Sequence, residues 1–249
     1  MKLRAIFNRG VAALAASMIL MACSCGQNEP ITGPETPPGA TNCVTASPDM
    51  SPGPVSRQLT IVIDAGHGGS DGGAVGSVTG VKEDGLNLDV AILLKDELTL
   101  RGFKVIMTRE TGDSLAGTKR EDMMKRKEIM NAEGVDMVIS VHMNKFGDSS
   151  ISGPMAFYMQ GSSEGEKMAK CVIDAVCDKL GHPRRLANPG DYFVIRESKP
   201  TAVIIECGFL SNASDEKKLN DPEHRKLLAV GIADGIEAYT DTKPRKVAQ

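Results

Sequence analysis

The chain has 249 residues and a formal net charge of −3, with 41% hydrophobic and 4% aromatic residues and no tryptophan. That length suits one domain with appendages, and the mildly acidic balance excludes nucleic acid as a bulk polyanionic partner. The scarcity of aromatic rings also excludes a stacked carbohydrate platform and leaves Ile, Val, Leu, Met and Ala to build the core.

Residues 1–23 read as an export signal rather than as part of the fold. Lys2, Arg4 and Arg9 supply the positive start, and an apolar stretch follows over 11–22. That stretch is short for a transmembrane helix, which needs about 20 residues. Leu20-Met21-Ala22-Cys23 resembles a bacterial lipobox, which makes Cys23 the expected lipidation site. A plain secretory signal or an uncleaved anchor is the alternative. Each of these exports the protein and places it at the outer face of a bacterial membrane or cell envelope. Residues 24–58, rich in Pro, Gly, Ser and Thr, cannot bury enough apolar surface to offset their ordering entropy and are expected to form a disordered tether. The folded domain is expected over 59–240, with a flexible tail over 241–249.

Within the domain, strands are expected at 59–64, 103–108, 136–141, 153–159, 192–196 and 202–206. Helical patterns lie between them. Over 85–101, Leu86, Val90, Leu93, Leu94 and Leu98 share one face, and Gly102 follows as a stop. The stretch 118–133 is a charged helix with Met123, Ile129 and Met130 inward, and its Lys119, Arg120 and Lys127 interleave with acids as a solvated face. Two more helices are expected at 163–180 and 223–239. Strands alternating with helices predict a three-layer α/β/α fold, with a mostly parallel, twisted six-stranded sheet covered on both faces. An antiparallel strand fits best in the pair near 153–159 and 192–196.

Two of the four histidines close strand-like apolar runs. His67 follows Ile61-Val-Ile-Asp64, and His142 follows Met137-Val-Ile-Ser-Val141. Ligand sites in open α/β sheets lie outside the carboxyl ends of the strands, so the two can meet in space. Glu83, between them, precedes an amphipathic helix. Alone it reads as an acid favoured at a helix N-terminus; beside two strand-end histidines it reads as a third ligand. Two histidines and a glutamate with one position left for water is a pattern of catalytic zinc. The glycine-rich run 66–76 lacks the order of a phosphate loop and is expected to let backbone approach a metal and substrate. Glu206 ends the last core strand, where an acid is costly unless paired. It is either a general base beside a metal-activated water or one half of a buried ion pair with Arg109 or Arg126. His182 and His224 read as surface residues. Cys171, Cys177 and Cys207 read as buried small hydrophobes, since two cysteines six apart on a helix lie about 9 Å apart along its axis, too far for a disulfide.

Several of these elements together resemble one family. They are Ile63-Asp-Ala-Gly-His67-Gly-Gly, Glu83, Met107-Thr-Arg109, Arg126 to Asn131, Ser140-Val-His142-Met-Asn144 and Ile205-Glu206-Cys-Gly-Phe-Leu-Ser-Asn212. Their order is similar to that of the zinc-dependent N-acetylmuramoyl-L-alanine amidases of the amidase-3 type, over roughly 59–239. The resemblance implies one catalytic zinc ion held by His67, Glu83 and His142, with Glu206 as the catalytic glutamate and Asn144, Arg109 and Arg126 near the substrate. It implies cleavage of the amide between N-acetylmuramic acid and L-alanine in peptidoglycan. Ala65 stands where many members carry proline, and 144–153 is too short for the helical insertion that blocks the site in the division-associated subgroup. The layout most resembles the germination-specific, spore-cortex subgroup, which prepares muramic-δ-lactam. The expected partners are peptidoglycan, the membrane through the N-terminal anchor and an activator protein, with the enzyme itself a monomer. Another zinc amide hydrolase or peptidase of the wall is the competing enzymatic reading. A catalytically silent wall-binding lipoprotein would require a missing ligand or a missing Glu206.

Overall fold

Thr60-Ile-Val-Ile-Asp-Ala65 is buried along its whole length, as a strand covered on both faces must be. It is β1 of a computed structural model that describes residues 57–242. The export signal with Cys23, most of the expected tether and residues 243–249 lie outside the described residues. After β1 (Thr60–Ala65) come α1 (Glu83–Leu100), β2 (Lys104–Met107), α2 (Lys119–Met130), β3 (Met137–Asn144) and β4 (Met155–Met159). The chain continues through α3 (Ser163–Leu180), β5 (Ala187–Gly190), α4 (Phe193–Glu197), β6 (Thr201–Phe209), α5 (Ala213–Leu219) and α6 (Pro222–Asp241).

The six strands form one sheet in the order β2-β1-β3-β6-β4-β5. The first four are mutually parallel. β4 runs antiparallel to β6, as expected of that region, and β5 pairs parallel with β4. One expectation is corrected. Residues 192–196 form no strand; the last edge strand is Ala187-Asn-Pro-Gly190, and Phe193–Glu197 is a helical turn. A short apolar run fits a strand and a buried helix equally well, and here Val194 and Ile195 are buried side by side. Pro189 is tolerated because β5 lies at the sheet edge.

Alternation along the strands splits the core in two. Ile61, Ile63, Ile139, Val141, Val203 and Ile205 face α1, α3 and α6, while Val62, Val138 and Ile204 face α2 and α4. The three-layer arrangement is therefore the expected one. On the larger face α3 and α6 touch backbone to backbone. A Cβ on Gly235 would stand 2.4 Å from Val172 Cα. The face of α2 departs from expectation, because Asp122 and Arg126 are buried in it together with Met130.

Candidate metal centre

β1, β3 and β6 are adjacent and parallel, so their carboxyl ends open at the same edge of the sheet. His67 follows β1 there. His142 and Glu206 are register partners on β3 and β6, and an irregularity between His142 and Asn144 ends the regular pairing just beyond them. Irregularities of this kind recur beside active sites because they re-aim side chains. Glu83 is the first residue of α1, with no side-chain cap on that helix. Its carboxylate sits where the helix dipole favours negative charge. Ala74 N–H donates to Glu83 Oε2 over 2.7 Å, and Asn87 Nδ2 and Met143 N–H donate to Oε1 over 3.1 and 3.2 Å.

These placements bring His67, Glu83 and His142 together, with one ligand atom from each lying within 4.8 Å of the others. Glu83 Oε1 is 2.9 Å from His142 Nδ1 and 3.3 Å from His67 Nε2. The two imidazoles meet edge to face, with centroids 5.0 Å apart. Such an approach needs glycine. A Cβ on Gly66 would stand 2.2 Å from His142 Cε1, and one on Gly73 would stand 2.5 Å from Glu83 Oε2. The glycine run thus lets backbone come against the ligand side chains themselves.

The electrostatics are those of a cation site. Burial disfavours the Glu83 carboxylate, yet the hydrogen bonds with His142 and His67 hold its pKa well below the usual carboxylate range. Burial likewise works against protonated imidazoles, and the bond to Glu83 outweighs it, raising both His67 and His142. Protons and a metal ion compete for the same nitrogens. Glu206 behaves oppositely: burial pushes its carboxyl up to about 7. Its Oε2 is buried with no hydrogen-bond partner among the described residues. Neither Arg109 nor Arg126 pairs with it, so the ion-pair reading of Glu206 is not what the chain forms. A cleft of about 300 Å³ runs from His67, His142 and Glu206 to Met123, Tyr192 and Val194.

Residues 61–238 match the family described as N-acetylmuramoyl-L-alanine amidase, amidase-3. The chain belongs to the amidase-3 family. It is 37% identical over 200 residues to the germination-specific N-acetylmuramoyl-L-alanine amidase of Bacillus subtilis, covering 76% of this chain and 83% of that one. Among solved structures it resembles the CwlD amidase of Clostridioides difficile, determined in complex with the GerS lipoprotein. There the TM-score is 0.72 at 30% identity, over 75% of this chain and all of the other. The catalytic domain of the CwlV amidase of Paenibacillus polymyxa gives a TM-score of 0.67 at 32% identity, over 75% of this chain.

Other residues of this amidase-3 domain fall differently from the sequence reading. Of the two arginines expected near substrate, Arg126 lines the cleft and Arg109 does not; both are nearly buried, at 2% and 4% exposure, and donate mainly to acceptors inside the protein. Asn144 turns its amide toward Met155 Sδ, 3.9 Å away, and does not line the cleft. His182 and His224 are half-buried at a second cavity beside Gly153 and Asp215. Cys177 and Cys207 are buried and Cys171 is partly exposed, all as free thiols. Sequence reasoning missed Asp71. Its Oδ1 lies 3.1 Å from His67 Nδ1 and its Oδ2 lies 3.0 Å from Lys119 Nζ. Burial raises its pKa, but the bonds to Lys119 and His67 together outweigh it and hold it down to about 2. A carboxylate on the far nitrogen of a ligating histidine fixes the tautomer and the ring. The only sequence signal was the four-residue spacing from His67.

Proposed function

We propose that the protein is a zinc-dependent N-acetylmuramoyl-L-alanine amidase of peptidoglycan, with His67, Glu83 and His142 holding one zinc ion and Glu206 acting as general base. The observation that carries the reading is the three-ligand cluster with an unpartnered carboxylate across the strand pair. Two imidazoles and one carboxylate fit catalytic zinc, which keeps its fourth position open. When bound, zinc supplies Lewis acidity, which acidifies a water and polarises the scissile carbonyl.

Everything else is done by side chains of the chain. Glu206 takes a proton from the attacking water as its oxygen adds to the carbonyl carbon of the lactyl group. It then gives that proton to the L-alanine nitrogen as the carbon–nitrogen bond breaks, releasing a muramic acid carboxyl group and a free amino terminus. A carboxyl that burial has pushed to about 7 can both accept and return a proton near neutral pH. Asp71 holds the ring of His67. The cleft between the ligands and Tyr192 gives the scissile amide room beside Glu206.

The likeness to the germination-specific amidase of Bacillus subtilis supports spore cortex as the substrate. The complex of the Clostridioides difficile amidase with a lipoprotein supports an activating protein partner. The sequence of residues 1–23 supports export with a lipid anchor at Cys23.

The test is digestion of purified peptidoglycan by the full chain, with and without chelator, together with zinc analysis. New L-alanine amino groups, intact glycan and loss of activity on chelation are expected. New reducing ends, or amines released elsewhere in the stem peptide, would refute the amidase assignment.

A further inference from the structure

His67 is the one non-glycine residue among those described with a left-handed backbone, at φ 61°. Residues with a Cβ rarely adopt that conformation, and it persists only where surrounding structure enforces it. Two buried guanidinium groups supply the enforcement. Arg109, just after β2, donates from Nε to Ala65 O over 2.9 Å and from Nη2 to Gly66 O over 2.8 Å. Arg126, from α2, donates from Nη1 to Ala65 O over 2.8 Å and from Nη2 to His67 O over 2.5 Å. The three successive carbonyls that lead into and through His67 are thus each held by a guanidinium, and that of Ala65 by both.

Both arginines are themselves anchored. Arg126 reaches Asp64 Oδ1 over 2.6 Å and Asp122 Oδ2 over 2.7 Å. Asp64 also accepts from Ser140 Oγ and Thr108 Oγ1, over 2.7 and 2.9 Å. Arg109 also donates to Asp84 O and Thr111 O, over 2.7 and 2.9 Å. Each guanidinium therefore makes four donations within the protein, and two acids offset the charge of Arg126. Little is left of either for a substrate carboxylate.

We propose that Arg109 and Arg126 are positioning residues for the metal site, a clamp on residues 65–67 that aims His67 Nε2 at Glu83. The inference rests on the zinc reading of the cluster. Only a planar fork bridges two carbonyls at fixed angles; a lysine keeps the charge and loses that geometry.

The experiment uses the full chain with zinc chloride as the probe. Zinc affinity is measured by competition with a chromophoric chelator, well below the melting transition, for wild type, Arg109→Lys and Arg126→Lys. The lysine variants should bind zinc about 10–100-fold more weakly, as expected for groups that orient a ligand. Their activity on peptidoglycan should return with added zinc, at an unchanged KM. Unchanged zinc affinity with a raised KM would make the arginines substrate contacts and overturn the clamp; so would unchanged behaviour throughout. If Arg126→Lys does not fold, Asp122→Asn loosens Arg126 from its Nε side while keeping its Asp64 partner, and zinc affinity should fall in the same direction. A wild type that takes up no zinc would overturn the zinc reading and the clamp together. A wild type that binds while the lysine variants bind equally would overturn the clamp alone.

Discussion

His142 and Glu206 are register partners on the parallel strands β3 and β6, so their side chains leave the sheet on the same face. This pairing sets a proposed ligand beside a proposed base, and it gives the two glutamates of the site different jobs. Glu83→Gln removes the carboxylate that faces both histidines, and zinc content and activity should be lost together. Glu206→Gln keeps shape and hydrogen bonding but removes the base. Turnover should fall about 10²–10⁴-fold with zinc retained. Elemental analysis and single-turnover kinetics on both variants separate the roles. If Glu206→Gln loses zinc as fully as His67→Ala, Glu206 is a ligand.

Gly66→Ala tests how tightly the site is packed. Gly66 has no left-handed φ, so its backbone tolerates a methyl group; the obstacle is the His142 ring 2.2 Å away. Displacing that ring should lower zinc occupancy, with an overpacking cost of about 1–3 kcal/mol. Gly72→Ala meets only the flexible stem of Lys82, at 3.1 Å, and should retain its zinc. Equal zinc binding by both variants would contradict the packing.

Gly235→Ala concerns the fold alone. The new methyl would press on Val172 Cα at 2.4 Å, and backbone on backbone has no rotamer to yield. A loss of about 1–3 kcal/mol is expected, at roughly 2–4 °C of Tm per kcal/mol for a domain of this size. Gly231→Ala, 3.0 Å from Val176 Cα, should cost less. Calorimetry decides the order, and the reverse order would refute the contact.

Glu216 predicts an acid-sensitive loop. It is fully buried and accepts from Val78 N–H, Thr79 N–H and Thr79 Oγ1, over 2.8, 2.7 and 2.7 Å. Burial raises its pKa, but the Thr79 bonds outweigh it and the net shift is downward from 4.5. A depressed folded pKa contributes stability above the unfolded value, and that stability is lost as pH falls through the folded one. Wild type should therefore lose Tm below pH about 4.5 more steeply than Glu216→Gln, which starts lower at neutral pH. Parallel pH profiles would show that Glu216 carries no such linkage.

Anchoring depends on residues outside the described range. Cys23→Ala should move the protein from the membrane fraction to the soluble fraction. A variant that stays with the membrane would identify 11–22 as an uncleaved anchor, and a soluble wild type would refute the lipobox reading.

The order of residues alone determined where His67, His142 and Glu206 stand. Runs such as Ile61-Val-Ile and Val203-Ile-Ile have one stable use, a buried parallel strand, and a polar residue closing such a run lands at the sheet edge. Glu83 was legible in the same way, as the acid opening an amphipathic helix. Residues 192–196 were not, because Tyr-Phe-Val-Ile-Arg carries no period and its partners α2 and β6 decide its form. The family resemblance put Arg109 and Arg126 near the substrate, but a sequence shows an arginine's charge and not the acceptors it reaches. The carbonyls of residues 65–67 that they hold, at the end of β1 and the start of the loop after it, lie 43 to 61 residues away. Asp71 was hidden for a related reason: its bond to His67 depends on how a glycine-rich loop folds back. Local periodicity writes strand ends into the sequence, whereas hydrogen bonds between distant segments exist only once the sheet has brought those segments together.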